Sequence, residues 1–338
     1  MATEKPKRRQ RYRGKNPRHF SEKYKEHAPE RYAEDVAKVI ASGKTPAGTH
    51  RPVMAREIME VLSPRAGELA VDCTLGYGGH AQALLSALQP GGQLIGLDID
   101  SIELPKTEAR LRALGFGPET FTAYRKNYAG LARILPEPAD IILADLGLSS
   151  MQLDNPTRGF TYKDDGPLDL RMNPQRGQTA SALLASLDEP SLAALLRENA
   201  DEPNSERIAQ AILQESVSTT TQLVTTIRRT GADEDSVRRV FQALRIAVND
   251  EFGALDAFLR DLPLCLKAGG RVAILTFHSG EDRRVKKSFL SGKRSGVYSE
   301  VAPEVVRTSA EELRANPRSR SAKLRWARRS SMDAWNSR

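Results

Sequence analysis

Cysteine is nearly missing from this chain, with Cys73 and Cys265 its only two among 338 residues. A pair of cysteines builds neither a disulfide framework nor a closed zinc site, and such usage suits a reducing compartment. No run approaches the roughly 18 uninterrupted apolar residues that a membrane span requires, so no membrane partner is expected. The N-terminal segment lacks the apolar stretch of a secretory signal. It is Arg-rich, as a transit peptide would be, but it carries Glu4, Glu22, Glu26 and Glu30 and little amphipathic pattern. A cytoplasmic address is expected. No internal repeat is found.

What is present describes a globular protein with charged ends. Hydrophobic residues make up 39% and charged residues 28%, values of a folded chain, and the length favours two domains. The net charge of +8 is unevenly placed: residues 1–31 carry 11 Lys/Arg against 4 acids, and residues 313–338 carry 8 against 1. The body between these ends is therefore acidic. Basic arms either meet nucleic-acid phosphates or simply solvate the chain. Tyr12, Phe20, Tyr24 and Trp326 lie among the basic residues and favour the RNA reading, because bases stack on such rings.

Residues 1–28 read as a polar arm, followed by a short helix over 30–41 and another over 53–62 with Met54, Ile58 and Leu62 on one face. From there strands alternate with helices: strands at 68–72, 93–98, 120–123 and 140–145, helices at 81–88 and 102–114. Alternation of this kind means right-handed βαβ units and a parallel, doubly wound α/β sheet. The rhythm stops after Ser150. Residues 152–177 are rich in Asp, Gly, Pro and Arg, and helical patterns fill about 178–245, one of them with Pro203 in its first turn. The sheet resumes after a long helix over about 246–262 with a strand at 271–277. The segments 297–306 and 322–327 could add a terminal antiparallel hairpin. The expected organisation is a basic arm over 1–45, a sheet domain over 46–150 and 246–327, an inserted helical domain over 151–245, and a basic tail over 328–338.

The sharpest local signal is Asp72-Cys-Thr-Leu-Gly76-Tyr-Gly78-Gly79-His80, set between a strand and a helix. Glycine there lets the backbone turn tightly and approach a ligand. Asp98 closes the next strand, 22 residues after Gly76. A carboxylate at that point can accept both ribose hydroxyls of an adenosine cofactor, with hydrogen bonds worth about 1.5–3 kcal/mol each. NAD and S-adenosylmethionine both fit this geometry. The absent third glycine of Gly-x-Gly-x-x-Gly favours S-adenosylmethionine, which has no pyrophosphate to seat on the helix. A plain tight turn is the bland alternative.

Asp145 ends the fourth strand, and a doubly wound sheet binds ligands at the carboxyl ends of its strands, so Asp145 should face the same crevice as Gly78 and Asp98. Neither cysteine sits at that edge to form a covalent adduct with a pyrimidine carbon. An exocyclic amine needs no adduct, only orientation and an acceptor for its proton, for which Asp145 or His278 are candidates. His278, Glu281 and Asp282 could be taken for metal ligands. A helix capped by Ser279 with an acidic first turn explains them without one, and no metal is expected.

In order, these motifs resemble the ribosomal RNA small-subunit methyltransferase H family, also called the MraW family. The resemblance rests on His50-Arg-Pro-Val53, the 72–80 loop, Asp98-Ile-Asp100, Asp145-Leu-Gly-Leu-Ser-Ser-Met-Gln-Leu-Asp154, Arg158-Gly-Phe160 and Asp165-Gly-Pro-Leu-Asp-Leu-Arg-Met172. It continues through Phe241-Gln-Ala-Leu-Arg-Ile-Ala-Val-Asn-Asp-Glu251, Phe277-His-Ser279 with Glu281-Asp-Arg283, and Asn316-Pro-Arg-Ser-Arg-Ser-Ala-Lys-Leu-Arg325. It spans roughly residues 49–326 and implies a class I S-adenosylmethionine methyltransferase sheet with a helical substrate-recognition insert. The implied activity is N4-methylation of a cytidine in the decoding region of small-subunit ribosomal RNA, free or in the small ribosomal subunit. The implied cofactor site is Gly78, Gly79, His80, Asp98, Tyr128, Asp145 and Gln152. Arg158, Asp169, Arg171, Arg245 and Asn249 become candidates for the RNA interface, with an internal salt bridge the alternative for Asp169 and Arg171.

Departures from the family pattern are Tyr128 for a usual Phe, Gly280 for a usual Leu, Asp201-Glu202 where Gly is preferred, and Ser101-Ile-Glu103. The rival readings are an NAD oxidoreductase, a non-catalytic RNA-binding assembly factor, and a DNA amino-methyltransferase, whose usual Asp-Pro-Pro-Tyr motif is absent. Oligomeric state is left open, a homodimer being one option.

Overall fold

A computed structural model describes residues 52–331. The basic arm, the helix expected over 30–41, His50 and the last seven residues lie outside them.

The described residues open with α1 (Ala55–Leu62), whose residues Ile58 and Leu62 are fully buried together with the preceding Met54. Then come β1 (Leu69–Asp72), α2 (Gly79–Leu88), β2 (Gln93–Leu97), α3 (Glu103–Ala113), β3 (Phe121–Tyr124) and β4 (Ala139–Asp145). A short α4 (Ser150–Asp154) leads into five helices without an intervening strand: α5 (Ala180–Ser186), α6 (Glu189–Ala200), α7 (Ser205–Leu213), α8 (Thr220–Arg229) and α9 (Glu234–Asn249). After α10 (Glu251–Cys265) the sheet resumes with β5 (Leu266–Thr276), followed by α11 (Ser279–Arg294), β6 (Tyr298–Val301), β7 (Val306–Arg307), α12 (Ala310–Ala315) and β8 (Lys323–Arg329).

The strands form one sheet in the order β3-β2-β1-β4-β5-β8-β6, with β7 also on β8. β1 to β5 run parallel, and β8 is antiparallel to β5. Alternate strand residues feed two cores, as a period of two demands. Val71, Ile142 and Ile274 pack with α10 and α11 on one face. Ala70, Ile141 and Ala273 pack with α1, α2 and α3 on the other. Burial on both faces explains why these strands read as continuous apolar runs. Helices α5 to α9 gather around a core of their own, built on Leu192, Leu196, Ile208, Ile212, Leu223, Val240 and Leu244. No helix among the described residues is long and apolar enough to cross a membrane.

Three local expectations are corrected. The single helix expected over 246–262 is two, since Asp250 takes a left-handed conformation (φ 47°) between α9 and α10. Pro203 precedes the cap Asn204 and stands outside the helix that begins at Ser205. The terminal strands are not a simple hairpin: β8 lies between β5 and a pair of short strands.

Two residues that depart from the resembled pattern, Asp201 and Gly280, sit in constrained surroundings. Asp201 adopts φ 51°, a conformation glycine takes without cost, and its carboxylate accepts from Arg283 at 2.9 Å. A Cβ on Gly280 would stand 2.5 Å from the Phe252 ring, so the missing side chain makes room for a large neighbour.

Gly159 is more tightly constrained. Its φ is 76°, and a Cβ would fall 2.4 Å from the Pro167 carbonyl oxygen and 2.8 Å from the Asp169 nitrogen. These are backbone atoms that cannot rotate away. Gly159→Ala is expected to destabilise by about 2 kcal/mol or more, from the left-handed penalty and the overlap together. Urea denaturation checks this, and a wild-type midpoint would show that the 159–169 contact is loose.

Candidate active site

The carboxyl ends of β1, β2, β4 and β5 form one rim, and the loop after β1 is the piece that joins them. The Leu75 amide donates to the Leu97 carbonyl at 2.8 Å, and the Gly78 amide donates to Leu75 at 2.7 Å. Gly78 needs its positive φ of 76° to start α2, and a Cβ there would press on Thr107 at 2.9 Å. Gly79 is equally confined, with Pro52 2.5 Å from where its Cβ would be.

Asp98 is held by this loop. One carboxylate oxygen accepts the Gly76 amide and the other the Asp100 amide, each at 2.8 Å. Burial pushes its pKa up to about 6, with the Asp100 and Gly76 amides pulling against that rise. Asp145 is tied to the same loop, its own amide donating to the Thr74 hydroxyl at 2.7 Å. Its side chain is 28% exposed and lies 3.6 Å from the His80 Nε2 atom. That is ion-pair range but longer than a hydrogen bond, and the buried His80 Nε2 has no hydrogen-bond partner within the protein. Gly78, Asp98, His80 and Asp145 thus come together as expected. They leave ring nitrogen and carboxylate oxygens able to meet a polar ligand.

Tyr128 packs edge-on against Phe258, with ring centroids 5.4 Å apart. Burial, then the negative charges of Glu251 and Glu281, keep its phenol neutral by pushing its pKa upward. Gln152 is placed differently from a ligand-facing residue. Its amide nitrogen donates to Asp100 at 2.7 Å, and its oxygen accepts the Ser149 amide in a capping box that starts α4. It reaches Asp98 only through Asp100.

The five RNA-interface candidates are engaged internally. Arg158 is 6% exposed. It donates to Asp100 at 2.9 Å and to the carbonyls of Met172 and Arg171 at 2.8 and 3.2 Å. Arg171 forks onto Asp169 at 2.7 and 2.8 Å, the internal bridge that the sequence left open. Burial raises the Asp169 pKa, but Arg171 outweighs it and holds the carboxyl below its ordinary range. Arg245 forks onto Glu251 at 2.7 and 2.9 Å. Asn249 accepts the Met172 amide and donates to the carbonyls of Leu170 and Arg245. Arg158, Arg171 and Asn249 brace the 169–172 segment, and Arg245 ties the end of α9 to the start of α10.

Among the described residues no hydrogen bond or ion pair joins His278 to Asp145. His278, and not Ser279, caps α11, its Nδ1 accepting the Glu281 amide at 3.4 Å. Its Nε2 lies 3.2 Å from a Glu281 oxygen. Glu281 would be raised by burial, yet His278 and Arg245 hold its pKa down. Donor atoms of Glu251, His278 and Glu281 lie within 4.8 Å of one another, close enough for a cation. The Arg245 guanidinium already fills that role. Asp282, grouped with them by the sequence, turns away to Lys323 and Arg325 at 3.1 and 2.6 Å.

Asp100, Asp72, Thr74 and Glu251 are the residues that sequence reasoning did not single out. The Asp-x-Asp spacing at the end of β2 was the one available signal for Asp100.

Two outcomes follow for the buried charges. Arg158→Ala leaves the 1% exposed Asp100 without its cation and should cost about 3–5 kcal/mol of stability. Full stability with weakened RNA binding alone would return Arg158 to the RNA-facing set. Burial raises the pKa of Asp72 to about 6, with His80 opposing. The folded state then binds this proton more tightly than the unfolded one. The stability it contributes is complete below the ordinary aspartate range and lost as pH rises through about 6. Asp72→Asn removes that loss. Measured by urea unfolding, the variant should gain on the order of 2 kcal/mol relative to the wild type between about pH 4.5 and 7.5; a pH-independent difference would refute it.

Residues 47–330 match the model of the MraW methylase family. The chain is 52% identical to "Ribosomal RNA small subunit methyltransferase H 2" of Alkaliphilus metalliredigens, over 96% of this chain and 98% of that one. It is 49% identical to "Ribosomal RNA small subunit methyltransferase H 1" of Lachnoclostridium phytofermentans, over 95% and 92%. A protein of the same name from Agathobacter rectalis is 46% identical over 95% and 97%. With the family model matched over residues 47–330 and relatives 46–52% identical over nearly the full length, this chain belongs to the MraW methylase family.

Proposed function

We propose that this methylase transfers a methyl group from S-adenosylmethionine to the N4 amine of a cytidine in the decoding region of small-subunit ribosomal RNA, in the cytoplasm. The observation that carries the reading is the meeting of Asp98, His80 and Asp145 around one glycine loop, with an unpartnered His80 nitrogen among them. Three relatives bear the small-subunit ribosomal RNA name.

The crevice fits the cofactor. Asp98 has lone pairs left on both oxygens for ribose hydroxyls, and the backbone of Gly78, Gly79 and His80 lines the approach. Tyr128, held edge-on against Phe258, is the ring assigned to the adenine, and Gln152 steadies Asp98 through Asp100. S-adenosylmethionine supplies an electrophilic methyl group on a sulfonium. The protein then has to aim the amine lone pair at that methyl and accept a proton. Asp145 is partly exposed at the rim and accepts the amine N–H, which orients the nitrogen. Orientation of this kind supplies up to about 7–11 kcal/mol in favourable cases. Methylation at ring carbon would need a thiolate. Burial raises the Cys73 thiol well above its ordinary pKa and the Cys265 thiol to about 11, so neither is poised to attack. The target base has to leave its stack, at a cost of a few kcal/mol, and the helices α5 to α9 form the body that holds the RNA around it.

The decisive measurement supplies labelled cofactor and small ribosomal subunits, then identifies the modified nucleoside by mass spectrometry. N4-methylcytidine is expected; label on a ring carbon, or none, would overturn the assignment. Asp145→Ala should abolish transfer while keeping a wild-type circular dichroism spectrum. Undiminished turnover by that variant would remove Asp145 from the reaction.

A further inference from the structure

Helix α11 leaves the reactive rim and runs back along the sheet, and its charges are sorted by face. It carries six Lys/Arg and two acids within a chain body that is acidic. Both acids point inward: Glu281 is 3% exposed beside His278, and Asp282 accepts from Lys323 and Arg325. Val285 and Phe289 enter the sheet core. Arg284 lies 3.6 Å over the Phe252 ring and reaches Asp256.

The outward face is left to Arg283, Lys286, Lys287, Leu290, Lys293 and Arg294, all exposed and spaced as one helical stripe. Only Arg283 of these meets a carboxylate, that of Asp201. Lys293 and Arg294 donate to the backbone carbonyls of Ser299 and Leu290, which leaves their charges unneutralised. Lys286 and Lys287 have no acidic partner among the described residues. Like charges on neighbouring turns repel. The protein accepts that repulsion without placing an acid among them, and the stripe projects an uncompensated positive field.

We infer that this stripe is a track for the phosphate backbone of the RNA substrate, resting on the reading of small-subunit ribosomal RNA given above. Its position supports this. α11 begins directly after the end of β5, at the rim that holds Asp145, and residues 283 to 294 cover about 16 Å along the helix axis. An RNA strand with its target base at the rim would pass along the stripe. Lysine and arginine suit the role, since each neutralised phosphate releases a counterion and binding becomes salt-dependent without sequence readout.

The test uses the full chain carrying Lys286→Gln, Lys287→Gln and Arg294→Gln together. Its affinity for small-subunit ribosomal RNA is measured as a function of salt. The slope of log affinity against log salt should fall by about 2, from about 0.7 per lost single-strand phosphate contact, with affinity near physiological salt lower by about tenfold. S-adenosylmethionine binding in equilibrium dialysis and the melting temperature should stay at wild-type values. The control Arg65→Gln, at the opposite rim of the sheet, should leave the slope unchanged. An unaltered slope in the triple variant, or an equal loss per charge in the control, would overturn the track. RNA binding lost through the stripe in a chain that does not bind S-adenosylmethionine would sink the proposed reaction and leave the surface standing.

Discussion

The site depends on one buried carboxylate, Asp100. Removing an ion from water costs several kcal/mol even after relaxation, and the cost is recovered only when every lone pair finds a donor. Asp100 meets that condition completely. One oxygen accepts the Ile102 and Glu103 amides, opening α3. The other accepts from Gln152 and Arg158. Its own amide holds Asp98. An almost wholly buried residue thus fixes the orientation of the strand-end carboxylate and ties β2 to the segment that leads into the helical body.

The crevice above it is arranged against the preference of its own charges. Asp72 and Asp98 are both buried enough to raise their pKa to about 6, and each feels other carboxylates nearby. His80 lies among them, 3.6 Å from Asp145, with a ring nitrogen that no protein group satisfies. Burial first, and the neighbouring carboxylates after it, disfavour the ionised forms here. A cationic ligand would relieve this, as the positive sulfonium and ammonium of S-adenosylmethionine would.

Much of this was legible in the sequence, and the parts that were not share a cause. The strands and helices of the sheet follow from periods of 2 and 3.6 and from glycine punctuation. The convergence of Gly78, Asp98 and Asp145 follows from the rule that ligands bind at strand carboxyl ends. Partnerships across long separations were invisible: Arg158 meets Asp100 across 58 positions and Asn249 meets Met172 across 77. An arginine destined for a buried pair and one destined for RNA look alike in a string of letters. The break at Asp250 was hidden because apolar residues keep their helical spacing on both sides of it. The cap at His278 was hidden because Ser279 is the commoner capping residue.

The internal engagement of Arg158, Asp169, Arg171, Arg245 and Asn249 changes where substrate recognition has to be sought. Their hydrogen bonds tie the 156–172 and 245–251 segments to each other and to Asp100, and those segments join the sheet to helices α5 to α9. Polar ties of this kind are directional, so they fix how two apolar cores meet more sharply than greasy contact would. The contact between Arg283 and Asp201 belongs to the same set, joining the start of α11 to the end of α6. Asp201 pays for that reach with a left-handed backbone that glycine would adopt freely, and Gly280 surrenders a side chain so that Phe252 can lie beside His278. Residues at this junction are therefore committed to geometry, and the groups free to meet a polyanion are those left over on the outward faces, where neither core nor junction claims them.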